Sequence, residues 1–163
     1  PGVTPGNGNR RLQARLVRIW LGEELGRNAL SLPYQIEYGG AFLKDSEHLA
    51  GLGMIGKNNL LGTPEYGTRV RLRGIFREAE LKPTGPSRQD PCKDCDRPCH
   101  DACPRGAFKK TGSFTRKLCS LENDKREAES EMIDGSIMGI DKPSSVTKPC
   151  RYCELACPVG QVS

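Results

Sequence analysis

Cys92-Lys-Asp-Cys95-Asp-Arg-Pro-Cys99-His-Asp-Ala-Cys103-Pro104 holds half of the eight cysteines in this chain of 163 residues. Its spacing is C-x2-C-x3-C-x3-C-P. A second run, Cys150-Arg-Tyr-Cys153-Glu-Leu-Ala-Cys157-Pro158, reads C-x2-C-x3-C-P, and Cys119 stands alone between the two. Three chemistries use cysteines at this density. Disulfides require an oxidising compartment, and the repeated C-x2-C spacing is that of metal ligands instead. Structural zinc also takes C-x2-C pairs, and two four-thiolate sites would consume all eight. Zinc does not explain a compact run closed by Cys-Pro and echoed downstream.

Iron–sulfur clusters explain both features. In the bacterial two-cluster run C-x2-C-x2-C-x3-C-P, the fourth cysteine ligates the other cluster. Three thiolates on a tight loop reach three corners of one cubane. The fourth, beyond a proline-ended helical turn, points to the neighbouring one. Here the third cysteine comes one residue late in both runs. The crossing rule then gives Cys92, Cys95 and Cys99 the fourth ligand Cys157. It gives Cys150 and Cys153 the ligand Cys103, and Cys119 completes that second site. Two [4Fe-4S] clusters use every thiol. His100, beside Cys99, reads as a loop residue making a hydrogen bond and not as a ligand.

Outward from the cysteines, the composition changes near Lys82-Pro-Thr-Gly-Pro-Ser-Arg-Gln-Asp-Pro91, a proline-rich connection. Residues 1–88 contain 13 Lys and Arg against 8 Asp and Glu, whereas residues 89–163 are balanced at 12 each. We therefore expect a basic α/β segment over 1–88 and a cluster domain over 89–163. The opening Pro1 to Asn9 reads as turn and loop, as though the chain began inside a longer one. Gly and Pro number 19 and 12, so the chain is rich in loops and its core is small. No apolar run approaches the roughly 20 residues of a membrane-spanning helix. With no charged-then-apolar leader visible either, the expectation is a cytoplasmic protein.

In the first half, Arg10 to Leu25 has helical periodicity, with Leu12, Leu16, Ile19 and Trp20 on one stripe. Arg11, Arg15 and Arg18 share another face, either solvated or turned to a phosphate. Thr63-Pro-Glu-Tyr-Gly67 is a turn, in which Glu65 and Tyr66 serve as hydrogen-bonding residues. From Thr68 to Phe76, Arg69, Arg71 and Arg73 alternate with apolar residues at the period of a strand. Those arginines form an exposed strand face or line the path of an anionic partner. Leu118 to Met132 reads as a charged helix.

Gly51-Leu-Gly-Met-Ile-Gly-Lys-Asn-Asn-Leu-Leu61, the Pro64-Glu-Tyr-Gly67 turn, the basic segment and the two cysteine runs follow one another in a particular order. Over residues 37–160 that order resembles epoxyqueuosine reductase and the related cobalamin-dependent reductive dehalogenases. The resemblance implies an α+β protein: a partial nitroreductase-like α/β segment followed by a loop-rich, bacterial ferredoxin-like domain with two [4Fe-4S] clusters. It implies that electrons pass through the clusters to cobalamin, which reduces the substrate, a modified tRNA nucleoside in epoxyqueuosine reductase. By the same resemblance Gly53, Met54, Ile55, Gly56, Lys57 and Asn58 line the corrin pocket, with Met54 where the family commonly has Trp. Lys57 would meet a phosphate or corrin side chain, or stand as a plain loop charge.

The sequence also departs from the family. Glu37 falls near the family's acidic proton donor, but its Asp-x-Ala-Pro setting is replaced by Ile36-Glu-Tyr-Gly39, and no catalytic role follows. Glu122 to Lys148 is atypical, and Met132 to Ile140 reads as a loop or lid. The partners implied are an electron-donor protein and tRNA. The rival reading is a non-catalytic ferredoxin-type subunit docking on a larger redox enzyme.

Overall fold

The computed structural model describes residues 7–26, 28–33, 41–108, 113–134 and 143–160. Within them the chain is a mixture of helices and short antiparallel ladders, an α+β arrangement. The first helix, α1 (Asn7–Leu25), starts three residues before the expected Arg10, so Asn7 to Asn9 are helical and not loop. It ends where its apolar period ends, at Gly26, whose φ of 55° only glycine adopts without penalty. The apolar stripe is real but not buried: Leu12, Leu16 and Trp20 are all more than half exposed. Arg15 is exposed and Arg18 half-buried.

After α1 come β1 (Ala29–Ser31), α2 (Leu43–Leu49), β2 (Met54–Ile55), β3 (Leu61–Gly62) and β4 (Ile75–Arg77). Strand β4 pairs with β1, joining Leu30 to Phe76, and β2 pairs with β3 in a tight hairpin. The basic strand expected over 68–76 is therefore mostly absent. Only its end enters a ladder, and Thr68 to Gly74 runs without regular structure because its polar groups are engaged elsewhere. Glu37 lies outside the described residues, as does 135–140 of the expected lid.

In the second half, residues 78–97 contain no helix or strand. They lead to α3 (Pro98–Asp101), α4 (Arg116–Ala128), β5 (Glu131–Ile133), β6 (Ser144–Val146) and α5 (Tyr152–Leu155). The charged helix stops earlier than expected, and Met132 lies in β5, paired with Ser145 of β6. Helix α4 is sustained by good helix formers and by ion pairs one turn apart, Glu122 with Arg126 and Lys125 with Glu129. Helices α3 and α5 pack against each other.

The core is small and unusual. Among the described residues its buried apolar members are Ala29, Leu61, Ala107, Val146, Cys99 and Cys157, and no large side chain is completely enclosed. Thiols thus stand where a larger domain would place Leu or Phe. No helix among the described residues is long and apolar enough to cross a membrane.

Candidate metal centre

Each of the two runs ends in the same local structure. Cys99-x3-Cys103-Pro wraps through α3, and Cys153-x3-Cys157-Pro wraps through α5. Both short helices terminate on an alanine, Ala102 or Ala156, still in the helical region, and a proline follows the next cysteine. The extra residue of the first C-x3-C, between Cys95 and Cys99, is absorbed at Arg97. Its φ of 61° turns the chain sharply, and Pro98 then occupies the first helical position.

The thiols fall into two groups. Burial pushes Cys99 up to about 11, and the neighbouring Cys157, Cys92 and Cys95 add to the shift. Burial likewise pushes Cys153 up to about 12, with Cys150, Cys103, Cys119 and Cys99 adding. Cys119 is raised in the same way, by burial first and then by Cys150 and Cys103. Cys157 of the second run thus lies near Cys92, Cys95 and Cys99, with which it lines one cavity, and Cys103 of the first run lies near Cys119, Cys150 and Cys153. Cys99 also adds to the shift of Cys153, so the groups adjoin. Among the described residues no three His, Cys, Asp or Glu side chains are arranged to hold a single metal ion. Tetrahedral zinc with Zn–S of about 2.3 Å would need thiols about 3.8 Å apart. Buried thiols that mutually oppose ionisation suit a cationic core shared among them, because such a core removes the cost of the charged form.

The glycine-rich segment lies against the first group. Gly56 opens the β2–β3 hairpin, closed by hydrogen bonds Gly56 N to Leu60 O (2.8 Å) and Asn59 N to Gly56 O (2.9 Å). A Cβ on Gly56 would lie 3.4 Å from Cys92 Sγ and 3.0 Å from Asn58 Oδ1. Met54, Gly56 and Asn58 line one cavity with Cys92, Cys95, Cys99 and Cys157. Gly53 and Ile55 build the hairpin itself. The Lys57 ammonium donates to the Cys92 carbonyl, so its charge is spent on the first run. Asn58 is buried and donates from Nδ2 to the Cys153 carbonyl at 3.4 Å.

Both histidines of the chain serve this segment. His48 Nδ1 donates to the Gly53 carbonyl and His100 Nε2 to the Lys57 carbonyl, each at 2.9 Å. Because a carbonyl only accepts, these contacts fix which ring nitrogen carries the proton. The His100 ring stacks on Phe108, centroids 4.6 Å apart, within helix α3 and not in a loop.

Arg69 and Arg71 stand on no strand and reach instead to the end of the second run. Arg69 donates to the carbonyls of Val159 (3.1 Å), Cys157 (3.0 Å) and Leu155 (3.3 Å). Arg71 makes a forked pair with the Glu154 carboxylate at 3.1 and 3.0 Å, and Arg151 grips the same group from the other side. Burial opposes the charged form of Glu154, but the hydrogen bonds from Arg151 and Arg71 outweigh it and hold the carboxyl below the usual range. Thr68 Oγ1 donates to the Glu154 carbonyl at 3.2 Å. Glu154 was legible only as a spacer between ligands, although Arg151 three residues before it was a signal of pairing. Glu65 and Tyr66 lie exposed in a closed turn, where Thr63 and Gly67 exchange both backbone hydrogen bonds at 2.9 Å.

No family model matches the chain. It is similar to curated epoxyqueuosine reductases. That of Listeria monocytogenes is 31% identical over 117 residues, which is 69% of this chain and 28% of the relative. That of Bacillus subtilis is 37% identical over 70 residues, 43% of this chain and 18% of the relative. A tetrachloroethene reductive dehalogenase of Desulfitobacterium hafniense is 39% identical over 62 residues, 36% of this chain and 11% of that protein. Among solved structures, an epoxyqueuosine reductase with a tRNA-Tyr epoxyqueuosine-modified stem loop superposes with a TM-score of 0.69 at 22% identity. That match covers 98% of this chain and 42% of the other. The Streptococcus thermophilus epoxyqueuosine reductase gives 0.62 at 26% identity, covering 93% and 39%. The resemblance read from the motifs is borne out, and the chain spans less than half the length of each of these relatives.

Proposed function

We propose that this chain is the cluster-bearing part of an iron–sulfur oxidoreductase resembling epoxyqueuosine reductase. Cys92, Cys95, Cys99 and Cys157 would hold one [4Fe-4S] cluster, and Cys103, Cys119, Cys150 and Cys153 the other. When bound, the two clusters supply one-electron transfer towards cobalamin, the group that would reduce the substrate. The observation that carries this reading is the sorting of eight thiols into two adjoining groups of four, one of them facing the glycine-rich hairpin.

The residues of the chain have definite tasks in this reading. Residues 89–163 form the ferredoxin-like cluster domain, and residues 1–88 contribute part of a nitroreductase-like α/β unit. Gly53 to Asn58 would form a wall of the corrin site, with the backbone brought close by Gly53 and Gly56. His48 and His100 hold that wall by its carbonyls, and Lys57 ties it to Cys92. A modified tRNA as substrate is the reading the relatives support, one of which is solved with a tRNA stem loop; a cytoplasmic setting and a separate electron-donor protein complete the proposal.

Anaerobic purification with the visible spectrum, iron, zinc and cobalt measured together tests the proposal. The expected result is a brown protein with about eight irons per chain, a corrin spectrum and no zinc. A colourless protein holding zinc would overturn the cluster reading. Iron without any bound or added corrin would leave the electron-carrier reading in its place.

A further inference from the structure

Cys119 is the thiol with no motif around it. It comes from helix α4, far along the chain from both Cys103 and Cys150 with which it groups. One side chain joins these separate pieces. Asn123 lies one turn after Cys119 on α4, so the two share a face. Its Nδ2 donates to the Cys119 carbonyl at 3.3 Å and approaches Cys119 Sγ at 3.9 Å. Its Oδ1 accepts from the backbone N–H of Cys150 at 3.2 Å. The contacts leave no ambiguity about the amide orientation, because a carbonyl must face an N–H donor and the Cys150 N–H must face an oxygen.

Neighbours on the same helix face reinforce the arrangement. Glu122 receives Arg105, just beyond Cys103-Pro104, at 2.9 Å, and the hydrogen bonds from Arg105 and Arg126 hold its carboxyl below the usual range. Arg126 lies over the Tyr152 ring, 5.2 Å from its centroid. Helix α4 thus meets the end of the first run through Glu122 and the start of the second through Asn123.

Resting on the cluster assignment above, we infer that Asn123 is the positioning residue of the second cluster, with two effects. By linking Cys119 to Cys150 it fixes two corners that no local motif relates. By directing an amide N–H at the Cys119 sulfur it stabilises the more negative, reduced form of whatever that sulfur ligates, which raises the reduction potential.

The two effects separate in two variants of the full chain, loaded anaerobically and compared by iron and sulfide content, circular dichroism and an EPR-monitored redox titration. Asn123→Asp keeps an acceptor for the Cys150 N–H and loses the donor to sulfur. Its expected result is full iron, with the midpoint of one cluster shifted negative and the other unmoved. Asn123→Ala loses both contacts and is expected to fall to about half the iron of the wild type. Asp124→Asn, on the exposed side of the same helix, controls for general effects on α4 and should match the wild type. Full iron and unchanged midpoints in both Asn123 variants would overturn the inference while leaving the cluster assignment intact. A wild-type chain that takes up no iron would instead overturn the assignment beneath it.

Discussion

The two Cys-x3-Cys-Pro segments, one through α3 and one through α5, are the same device built twice, yet they are fastened to the first half of the chain very differently. Among the described residues the α3 copy is held by His100 on the Lys57 carbonyl, with Lys57 donating to the Cys92 carbonyl earlier in the same run. The α5 copy is held by Arg69 on three carbonyls, by Arg71 on the Glu154 carboxylate, by Thr68 on the Glu154 carbonyl and by Asn58 on the Cys153 carbonyl. Backbones also meet there. Gly67, at a φ of 54°, lies so close to Val159 and Gly160 that a Cβ would overlap the Val159 carbonyl oxygen. The difference shows that sequence symmetry between ligand loops does not extend to their supports. Cys157, which lines one cavity with Cys92, Cys95 and Cys99, is the thiol of the α5 copy whose own carbonyl Arg69 grips. The denser fastening falls on the loop that lines the cavity beside the glycine-rich hairpin.

The largest test of this comparison exchanges the crossing thiols. Cys157→Ser should remove the cluster held by Cys92, Cys95 and Cys99, and Cys103→Ser the other, each lowering iron from about eight to about four per chain. EPR should show opposite clusters surviving in the two variants. If either variant kept about eight irons, the crossing would be wrong.

A smaller effect is expected at the backbone contact. Gly67→Ala adds a Cβ where there is no room and places alanine at positive φ, costing roughly 2–4 kcal/mol. The loss should appear as a lower urea midpoint of the loaded protein and as faster loss of the cluster that Cys157 completes. An unchanged midpoint would show that the α5 loop has room to withdraw.

The smallest effect concerns the first copy alone. Arg97 pays for its left-handed turn, and glycine there should be neutral or stabilising by at most about 1 kcal/mol. Thermal melting of Arg97→Gly reads the sign. Clear destabilisation would mean that the arginine side chain contributes more than its backbone conformation costs.

Much of this arrangement was legible because its signals are local. The period of Leu12, Leu16, Ile19 and Trp20 located α1, and the cysteine spacing located the two helical turns of α3 and α5. Burial of α1 was not legible, because a periodic stripe says which residues share a face and not what covers them. The stretch from Thr68 to Gly74 misled for a related reason. Alternating arginines suit a half-exposed strand and also a loop whose guanidinium groups reach the carbonyls at the end of α5. Only the distant partners Glu154, Leu155, Cys157 and Val159 decide between the two. The ladders β1–β4 and β5–β6 are three residues long, too short for any period to announce them.

The proposed grouping of Cys157 with Cys92, Cys95 and Cys99 would also constrain timing. A nascent chain displays three thiols of the first group while the fourth has yet to be synthesised, and closing that long loop costs entropy that three ligands alone do not repay. Cys103 waits in the same way for Cys150 and Cys153. Before Cys150 is made, five of the eight thiols are already open to oxidation and to stray metals. Under the proposed crossing, metal loading would be a late event in the life of the polypeptide, one that favours delivery to a chain whose two cysteine runs have already come together.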